Sequence, residues 1–306
     1  MVFLMLLMFN IFLQLKFFHT QLQTLYKIMI KYYKLQRSKL FRAEKHGFHL
    51  VRPSPWPFLT SVSLLQIALY TVLVFHSFKT SKIEFAFYFM YFLSVIGMWF
   101  RDIVIEATYQ GFHTLCVQRG LRYGMMVFLL SETMFFFGFF WCFFYMSVSP
   151  SIWIGCSWPP EGIEPLNPFL LPLLNTLILI SSGISASFSH KAMLIRTGRN
   201  DVILGLSYSI ILGLIFTCLQ YWEYSEASFS INDGIYGSIF YVSTGFHGLH
   251  VLIGTTALIV CLIRHFNYNF QMEHHIGFEL SLWYWHFVDI IWILLYLFVY
   301  CWGYRF

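Results

Sequence analysis

Charged residues are scarce in this sequence. They make up 11% of its 306 residues, while hydrophobic residues make up 58%, and a soluble domain usually carries about 25% charged residues. So few charges cannot cover the surface of a water-soluble protein of this size. The composition therefore excludes an ordinary soluble globular protein and predicts that lipid contacts most of the molecular surface.

Paired cysteines and nucleotide-binding motifs are also missing. The six cysteines form no C-x-x-C pair, so neither a disulfide framework nor a zinc site of that type is predicted. No G-x-x-x-x-G-K-[ST], G-x-G-x-x-G or C-x-x-C-H run occurs. The net charge of +5 forms no continuous basic face, so nucleic acid is not an expected partner. We predict no metal, haem or nucleotide site in this chain.

Long stretches without charge are abundant. A helix needs about 20 apolar residues to cross the hydrocarbon core of a membrane. The spacing of charged residues provides seven such stretches, two of which are interrupted once, by Glu132 and by Asp289. The shortest gap, between Glu84 and Arg101, must use the apolar residues that flank it. We predict an all-α membrane protein with seven transmembrane helices, over residues 56–78, 83–104, 123–148, 168–190, 202–222, 235–263 and 279–302.

Basic residues are distributed unequally between the two ends of these spans. Sixteen of the nineteen Lys and Arg lie in the N-terminal segment or in the loops after spans 2, 4 and 6, and the exceptions are Lys79, Lys82 and Arg305. Because basic loops stay on the inner side of a membrane, this distribution supports an odd number of spans. It places the N-terminus on the positively charged side and the C-terminus on the opposite side.

The first 45 residues have a different character. Residues 1–15 are apolar but too short to span a membrane, and Lys27, Lys31 and Lys34 then recur at helical spacing opposite apolar residues. This pattern predicts an amphipathic helix on an anionic membrane surface, with an extension of no fixed structure as the alternative. We therefore divide the chain into an N-terminal extension, 1–45, and a seven-span domain, 46–306.

One acidic residue interrupts the third span. Glu132 lies ten residues after Arg122 and is followed by a phenylalanine-rich run. An ionised residue at the centre of a span costs at least ~2.5 kcal/mol on insertion scales, and apolar surroundings favour the neutral form of a carboxyl group. Two roles are predicted for Glu132. It is either a functional acid, which handles protons or contacts a neighbouring subunit, or a neutral acid that is hydrogen-bonded within the bundle.

Two further polar pairs lie within spans. His247 and His250 stand at i and i+3 in span 6, a spacing that could ligate a metal, but further converging ligands are missing. We therefore predict hydrogen-bonded packing histidines. His286 and Asp289 repeat the spacing in span 7, where Asp accepting a hydrogen bond from His would satisfy both groups. A proton relay is the alternative for this second pair.

Several polar residues lie near the positively charged ends of the spans. Arg101 closes span 2, Glu106 follows it, His113 lies in the loop beyond, and Arg264 ends span 6. Charges at this depth suit lipid head groups. The alternative is ordinary interfacial charge without a bound ligand.

A series of short runs occurs in a characteristic order between His46 and Gly303. In chain order they are RPSPWP from Arg52, RGLRYG from Arg119, Ser131-Glu132, WPP from Trp158, PLLNT from Pro172, DGIYGS from Asp233, TGFHGLH from Thr244, His274-His275 with GFE from Gly277, and WYWHFVD from Trp283. Each run alone is weak, but together they are highly specific. The sequence resembles subunit 3 of the haem–copper cytochrome c oxidases, of the mitochondrial type.

This resemblance implies seven helices in two bundles, spans 1–2 and spans 3–7, separated by a V-shaped cleft that binds phospholipid. It implies a subunit without a redox centre that packs on subunit 1, which carries the haems and copper. Such a subunit supports proton uptake and stability in the complex that transfers electrons from cytochrome c to oxygen. Glu132 matches the buried acid of the family, and Trp99, Glu106 and His113 match residues that line the cleft.

The resemblance also implies a location and leaves some positions open. The mitochondrial inner membrane is expected, with the N-terminus in the matrix and the C-terminus in the intermembrane space; a bacterial plasma membrane is the alternative. Phe100, Ile105 and Lys191 replace a Trp, an Arg and a His that the family commonly has, which affects head-group contacts rather than the fold. Residues 1–45 have no counterpart in the family and are predicted to meet a lineage-specific subunit. Unchanged assembly after their deletion would contradict that prediction.

Two other functions fit the sequence less well. A free-standing transporter or proton channel built around Glu132 would need a polar path, and span 3 offers mainly aromatic surroundings. A redox enzyme in its own right would need metal or cofactor ligands that the sequence does not supply. Copurification with haem and copper held by other chains would favour the oxidase subunit, and a colourless single chain with transport activity would contradict it.

Overall fold

The computed structural model describes residues 46–78, 81–196 and 198–304. Every long element in this part of the chain is a helix, and seven helices are long and apolar enough to cross a membrane. The predicted all-α fold with seven membrane-spanning helices is confirmed. The surface helix predicted within residues 1–45 lies outside the described residues.

The seven helices are numbered in chain order. They are α1 (Trp56–Phe75), α2 (Ser81–Val104), α3 (Leu115–Val148), α4 (Leu171–Ile195), α5 (Arg199–Glu226), α6 (Gly234–Phe266) and α7 (Ile276–Leu295). Two helices continue as π-helix, α2 over Ile105–Tyr109 and α7 over Tyr296–Trp302. A short 3-10 helix, Ile152–Ile154, lies between α3 and α4.

Helices α3 and α5 are longer than the predicted spans. Each continues past the charged residue, Arg122 or Glu223, at which the prediction ended the span. The start of α3 lies at Leu115, eight residues before the predicted span, where the Thr114 side chain accepts a hydrogen bond from the Val117 N–H. The end of α5 lies at Glu226, beyond Glu223. In both cases a charged side chain has a partner within the protein, so the helix continues through its position.

Helices α3 to α7 pack on one another around a shared core. Its largest fully buried side chains include Trp285 and Trp292 of α7. Small residues bring α4, α5 and α6 close to each other and to these rings, since glycine leaves space for a neighbouring helix or ring. A methyl group on Gly205 of α5 would lie 2.7 Å from Ser189 Cβ of α4.

The first two helices pack on each other. Tyr70 of α1 stacks on Tyr88 of α2, with ring centroids 4.7 Å apart. At the opposite end of the pair, Trp56 Nε1 donates a hydrogen bond of 2.7 Å to Asp102 Oδ2. The aromatic and polar contacts therefore join both ends of α1 and α2.

Candidate functional site

Glu132 of α3 is paired with His250 of α6. The distance from His250 Nε2 to Glu132 Oε2 is 2.9 Å, and the imidazole is largely buried. Phe136 and Tyr284 pack against the imidazole ring, with ring centroids 5.2 and 6.2 Å away. Because apolar rings surround the pair, each polar group depends on the other for its hydrogen bond.

The other nitrogen of His250 determines how protons are shared in this pair. His250 Nδ1 lies 2.6 Å from the Phe246 carbonyl oxygen, which can only accept, so Nδ1 carries a hydrogen. In a neutral imidazole Nε2 is then an acceptor, and Glu132 must donate from a protonated carboxyl group. In the charged form the imidazolium Nε2–H donates to a carboxylate. Either way, one proton is shared between the two side chains.

His247 has separate partners from His250. Its Nε2 lies 3.2 Å from the Val288 carbonyl oxygen of α7, and its ring lies against Trp292 with centroids 5.1 Å apart. The side chain is almost fully buried. His247 therefore connects α6 to the backbone of α7. His247 and His250 bond different partners, so the two imidazoles do not converge on one metal position.

His286 and Asp289 contact each other on α7. His286 Nδ1 lies 3.4 Å from Asp289 Oδ2, and His286 Nε2 lies 3.0 Å from the Ser187 hydroxyl of α4. Asp289 Oδ2 lies against Gly183, where an added methyl group would overlap it. Asp289 Oδ1 is buried and has no hydrogen-bond partner among the described residues. The pair joins α4 to α7 near the middle of the span.

Arg264 lies where the end of α2 meets α6 and α7. Its Nη2 donates to the Thr108 hydroxyl over 3.3 Å, and its guanidinium lies 4.4 Å from the centre of the Phe270 ring. A methyl group on Gly277 would lie 2.6 Å from Arg264 Nη1, so the glycine makes room for the guanidinium. In the described part of the chain Arg264 has no carboxylate partner, and its Nε is buried without a hydrogen bond.

The other residues predicted to bind lipid lie on or just after α2. Arg101 is exposed and forms a 3.1 Å ion pair with Asp102, while Trp99, Glu106 and His113 are partly buried. Glu106 lies in the π-helical extension and His113 in the loop before α3. The structure therefore places these four residues near the same end of α2, and Thr108 connects that end to Arg264.

Glu223 is a buried acid that the sequence pattern did not single out, because it was taken as the end of span 5. Its side chain is almost fully buried. The Tyr300 hydroxyl donates to Glu223 Oε1 over 2.5 Å, and Gln220 Nε2 lies 3.3 Å from the same oxygen. The i, i+3 spacing of Gln220 and Glu223 could have identified this acid from the sequence, because it puts the amide and the carboxyl group on one helical face.

A hydrogen-bonded network connects the helices at the positively charged end. Arg122 of α3 contacts both carboxylate oxygens of Glu279 on α7, at 2.8 to 3.1 Å. Gln118 Nε2 lies 2.9 Å from His274 Nδ1. A paired guanidinium and carboxylate form strong charge-assisted hydrogen bonds, so this network fixes α3 against the start of α7.

Metal-ligating side chains do not converge in the described residues. Within them, no group of three or more His, Cys, Asp or Glu side chains is placed to hold a metal ion. All six cysteines are free.

Comparison with known proteins gives a consistent result over the seven-span domain. A family model of cytochrome c oxidase subunit III matches residues 46–304. The chain is 50% identical to cytochrome c oxidase subunit 3 of Pisaster ochraceus over 259 residues, covering 85% of this chain and 98% of that protein. It is 51% identical to the Paracentrotus lividus protein of that name over 261 residues (85% and 99%). For the Chondrus crispus protein the identity is 47% over 260 residues (85% and 95%).

The fold defines a multi-span α-helical membrane protein in which the acids Glu132 and Glu223 are hydrogen-bonded to side chains of other helices. The chain belongs to the cytochrome c oxidase subunit III family. It is a mitochondrial membrane protein and a component of respiratory complex IV, the oxidoreductase that passes electrons from cytochrome c to oxygen. Its partners are other subunits of that complex. The resemblance drawn from the sequence motifs is confirmed, and a free-standing transporter is not supported.

Proposed function

We propose that this chain is a non-catalytic core subunit that packs on subunit 1, binds phospholipid in a cleft and supports proton uptake through Glu132. Haem and copper would be held by partner subunits. The observation that carries this proposal is the position of Arg264, a partly buried guanidinium without a carboxylate partner in the described chain, next to the end of α2. A lipid phosphate would supply the missing negative charge.

The proposed cleft lies between the α1–α2 pair and the group formed by α3 to α7. Trp99, Arg101, Glu106 and His113 come from the α2 side, and Arg264 comes from the other side. An indole ring and several charges at one depth suit the interfacial region of a bilayer, where head groups lie. Arg264, held by Thr108 and Phe270, would bind the phosphate, and the apolar faces of α1 and α2 would contact the acyl chains.

Replacing Arg264 with glutamine is expected to release one phospholipid from the purified oxidase. Hydrogen bonds to charged groups contribute roughly 1.5–3 kcal/mol each, so loss of the guanidinium should weaken binding by about ten- to hundredfold. Bound phospholipid per haem, measured by mass spectrometry after a detergent wash, gives the result. Arg196→Gln is the matched control, because Arg196 is exposed and contacts Met272 instead. Equal lipid content in wild type and Arg264→Gln would contradict the proposed cleft.

The Glu132–His250 pair would be the proton-handling element of the subunit. It shares one proton between α3 and α6, and Glu132 remains partly exposed at the surface of this chain. A protonated carboxyl group that lipid-soluble reagents can reach reacts with hydrophobic carbodiimides. Glu132 is therefore expected to be the labelled residue in the assembled oxidase.

Glu132→Gln is expected to abolish carbodiimide labelling, preserve assembly and slow proton uptake. The amide can still donate an N–H to His250 Nε2, but it cannot release a proton. Glu132→Leu is the contrasting variant, since it leaves His250 Nε2 unpaired at a cost of ~1–3 kcal/mol. Labelling, haem content and the proton uptake rate are measured for both. If the glutamine variant takes up protons at the wild-type rate, the pair has only a packing role.

The proposed orientation places the positively charged end of the bundle in the matrix, within the mitochondrial inner membrane. Contacts at that end support it. Arg122 reaches Glu279 at the start of α7, and Arg199 donates to the His265 and Phe266 carbonyl oxygens at the end of α6. Residues near the loops after spans 2, 4 and 6 therefore lie at the same end of the bundle. The distribution of Lys and Arg predicts the same arrangement.

A further inference from the structure

The loop between α6 and α7, residues 267–275, carries two adjacent histidines that contact different helices. His274 Nδ1 lies 2.9 Å from Nε2 of Gln118, in the first turn of α3. His275 Nε2 lies 3.2 Å from His190 Nε2 of α4. Neither contact involves a residue of the proposed lipid cleft. Because imidazole is the side chain that ordinarily titrates between about pH 5 and 8, the protonation of each contact decides whether it holds.

The Gln118 amide has one orientation that satisfies its neighbours. Its Nε2 also lies 3.0 Å from the His113 carbonyl oxygen, which can only accept a hydrogen bond. Turning the amide over would place the Gln118 oxygen against that carbonyl oxygen, so the NH2 group must face His113. One of its N–H groups bonds the His113 carbonyl, and the other points to His274. Gln118 is buried, so its donor direction is fixed by the protein.

This fixed donor requires a neutral His274. The Nδ1 atom can accept the Gln118 N–H only while it carries no hydrogen, so the proton of the neutral imidazole is on Nε2. A second proton must bind at Nδ1, where it turns toward the Gln118 N–H. Two donors then face each other and the hydrogen bond is lost. His274 is exposed, so water can deliver this proton without opening the bundle.

The neighbouring contact between His275 and His190 behaves differently. His275 Nδ1 lies 3.2 Å from the Gln271 carbonyl oxygen and therefore carries a hydrogen, so the Nε2 of neutral His275 accepts a hydrogen bond from His190 Nε2–H. One added proton can be held at His190 Nδ1 while the same Nε2–H continues to bond His275. The first protonation therefore leaves this contact closed.

The charged groups nearby do not hold a protonated His274 in place. Arg122 and Glu279 are paired with each other, and among the described residues no carboxylate lies within ion-pair distance of His274. The positive charge therefore gains no partner that offsets the lost bond to Gln118. The titratable groups on the elements that meet at this contact are His113, Arg122, His190, Glu273, His275 and Glu279.

We infer that His274 is a pH-sensitive latch: neutral His274 holds the α6–α7 loop to Gln118 of α3, and protonation of His274 releases the loop. The latch is closed at alkaline pH and opens as the pH falls and the imidazole takes up a proton. A hydrogen bond of this kind changes an equilibrium by roughly two- to tenfold. The release is therefore a local opening, while the Arg122–Glu279 pair keeps α3 against α7.

Hydrogen exchange in the intact purified oxidase tests the latch. Peptides covering residues 267–275 are followed by mass spectrometry at about pH 8 and about pH 6, on either side of the middle of the imidazole range, and rates are corrected for the intrinsic effect of pH on amide exchange. The wild-type loop is expected to exchange roughly two- to tenfold faster at the lower pH. His274→Gln should abolish this difference, because its amide oxygen accepts from Gln118 but does not titrate.

Two further variants separate the latch from its neighbours. Gln118→Leu removes the donor, so the loop should exchange rapidly at both pH values. His275→Gln is the matched control, because it changes the adjacent histidine and should keep the pH-dependent difference. Haem content of each sample checks assembly.

Three results would overturn the inference. A wild-type loop whose corrected exchange rate does not change with pH has no latch. A pH-dependent difference that persists in His274→Gln belongs to another group, and one that disappears in His275→Gln but not in His274→Gln belongs to the His190–His275 contact. None of these measurements depends on Arg264 or Glu132, so the outcome is independent of the proposed lipid cleft and of the proposed proton uptake.

Discussion

Replacing Trp285 with alanine is expected to destabilise the assembled oxidase strongly. Trp285 is fully buried at the centre of the α3–α7 group. Its ring lies against α5 and α6, where methyl groups on Gly213 and Gly254 would each come within 2.8 Å of it. Its Nε1 donates to the Ser182 hydroxyl of α4 over 3.0 Å. One side chain therefore contacts three neighbouring helices.

The expected loss is about 3–5 kcal/mol, the range for buried Trp or Phe truncated to Ala. In a membrane the comparison state is also apolar, so most of this loss comes from missing packing contacts rather than from exposure to water. The melting temperature and haem content of the purified complex measure it. Trp222→Ala is the control, because Trp222 is 55% exposed and its side chain bonds Glu226 alone among the described residues. Equal effects of the two substitutions would refute the central role of Trp285.

Introducing a side chain at Gly205 is expected to separate α4 from α5. An added methyl group would lie 2.7 Å from Ser189 Cβ and 2.9 Å from the Ser185 carbonyl oxygen. A backbone oxygen cannot rotate away, so the helices themselves must move. Overpacking of this kind costs about 1–3 kcal/mol, which exceeds the helix-propensity gain of up to ~1 kcal/mol for Gly→Ala.

A graded series makes this second prediction decisive. Gly205→Ala should lower the melting temperature of the oxidase, and Gly205→Leu should lower it further or prevent assembly. Gly138→Ala is the control, because no described side chain and no backbone of another helix lies within 4 Å of the position that its methyl group would occupy. Adding Ser189→Gly to Gly205→Ala removes one of the two close contacts and should restore part of the stability. An unchanged melting temperature for Gly205→Ala would contradict the close approach of α4 and α5.

Hydrophobic patterning predicted the number of helices well but their ends less well. Stretches with at most one charged residue identified all seven helices, because crossing hydrocarbon is a requirement on each segment by itself. The same method began span 3 after Arg122 and ended span 5 before Glu223. Both helices continue past these residues, since Glu279 and Tyr300 provide partners. A rule based on single charges cannot include a partner from another helix.

The sequence predicted the individual polar residues of the candidate site, but it did not predict which of them are hydrogen-bonded to each other. The sequence singled out Glu132 because a carboxyl group within a span is costly. It also grouped His247 with His250 by their spacing. In the structure His250 bonds Glu132, 118 positions away, and His247 bonds the Val288 carbonyl oxygen. Spacing on one helix places two side chains on a common face, but the neighbouring helices decide what each side chain contacts.

The sequence by itself determined the class of protein, the seven spans and the family, because composition, charge-free length and ordered motifs are local properties. It also predicted which end carries the positive charge. Only the tertiary structure decided that Glu132 binds His250, that Glu223 is buried, and that Arg264 reaches Thr108. These contacts join residues far apart in the chain. They depend on the distances and rotations between packed helices, which the periodicity of a single helix does not specify.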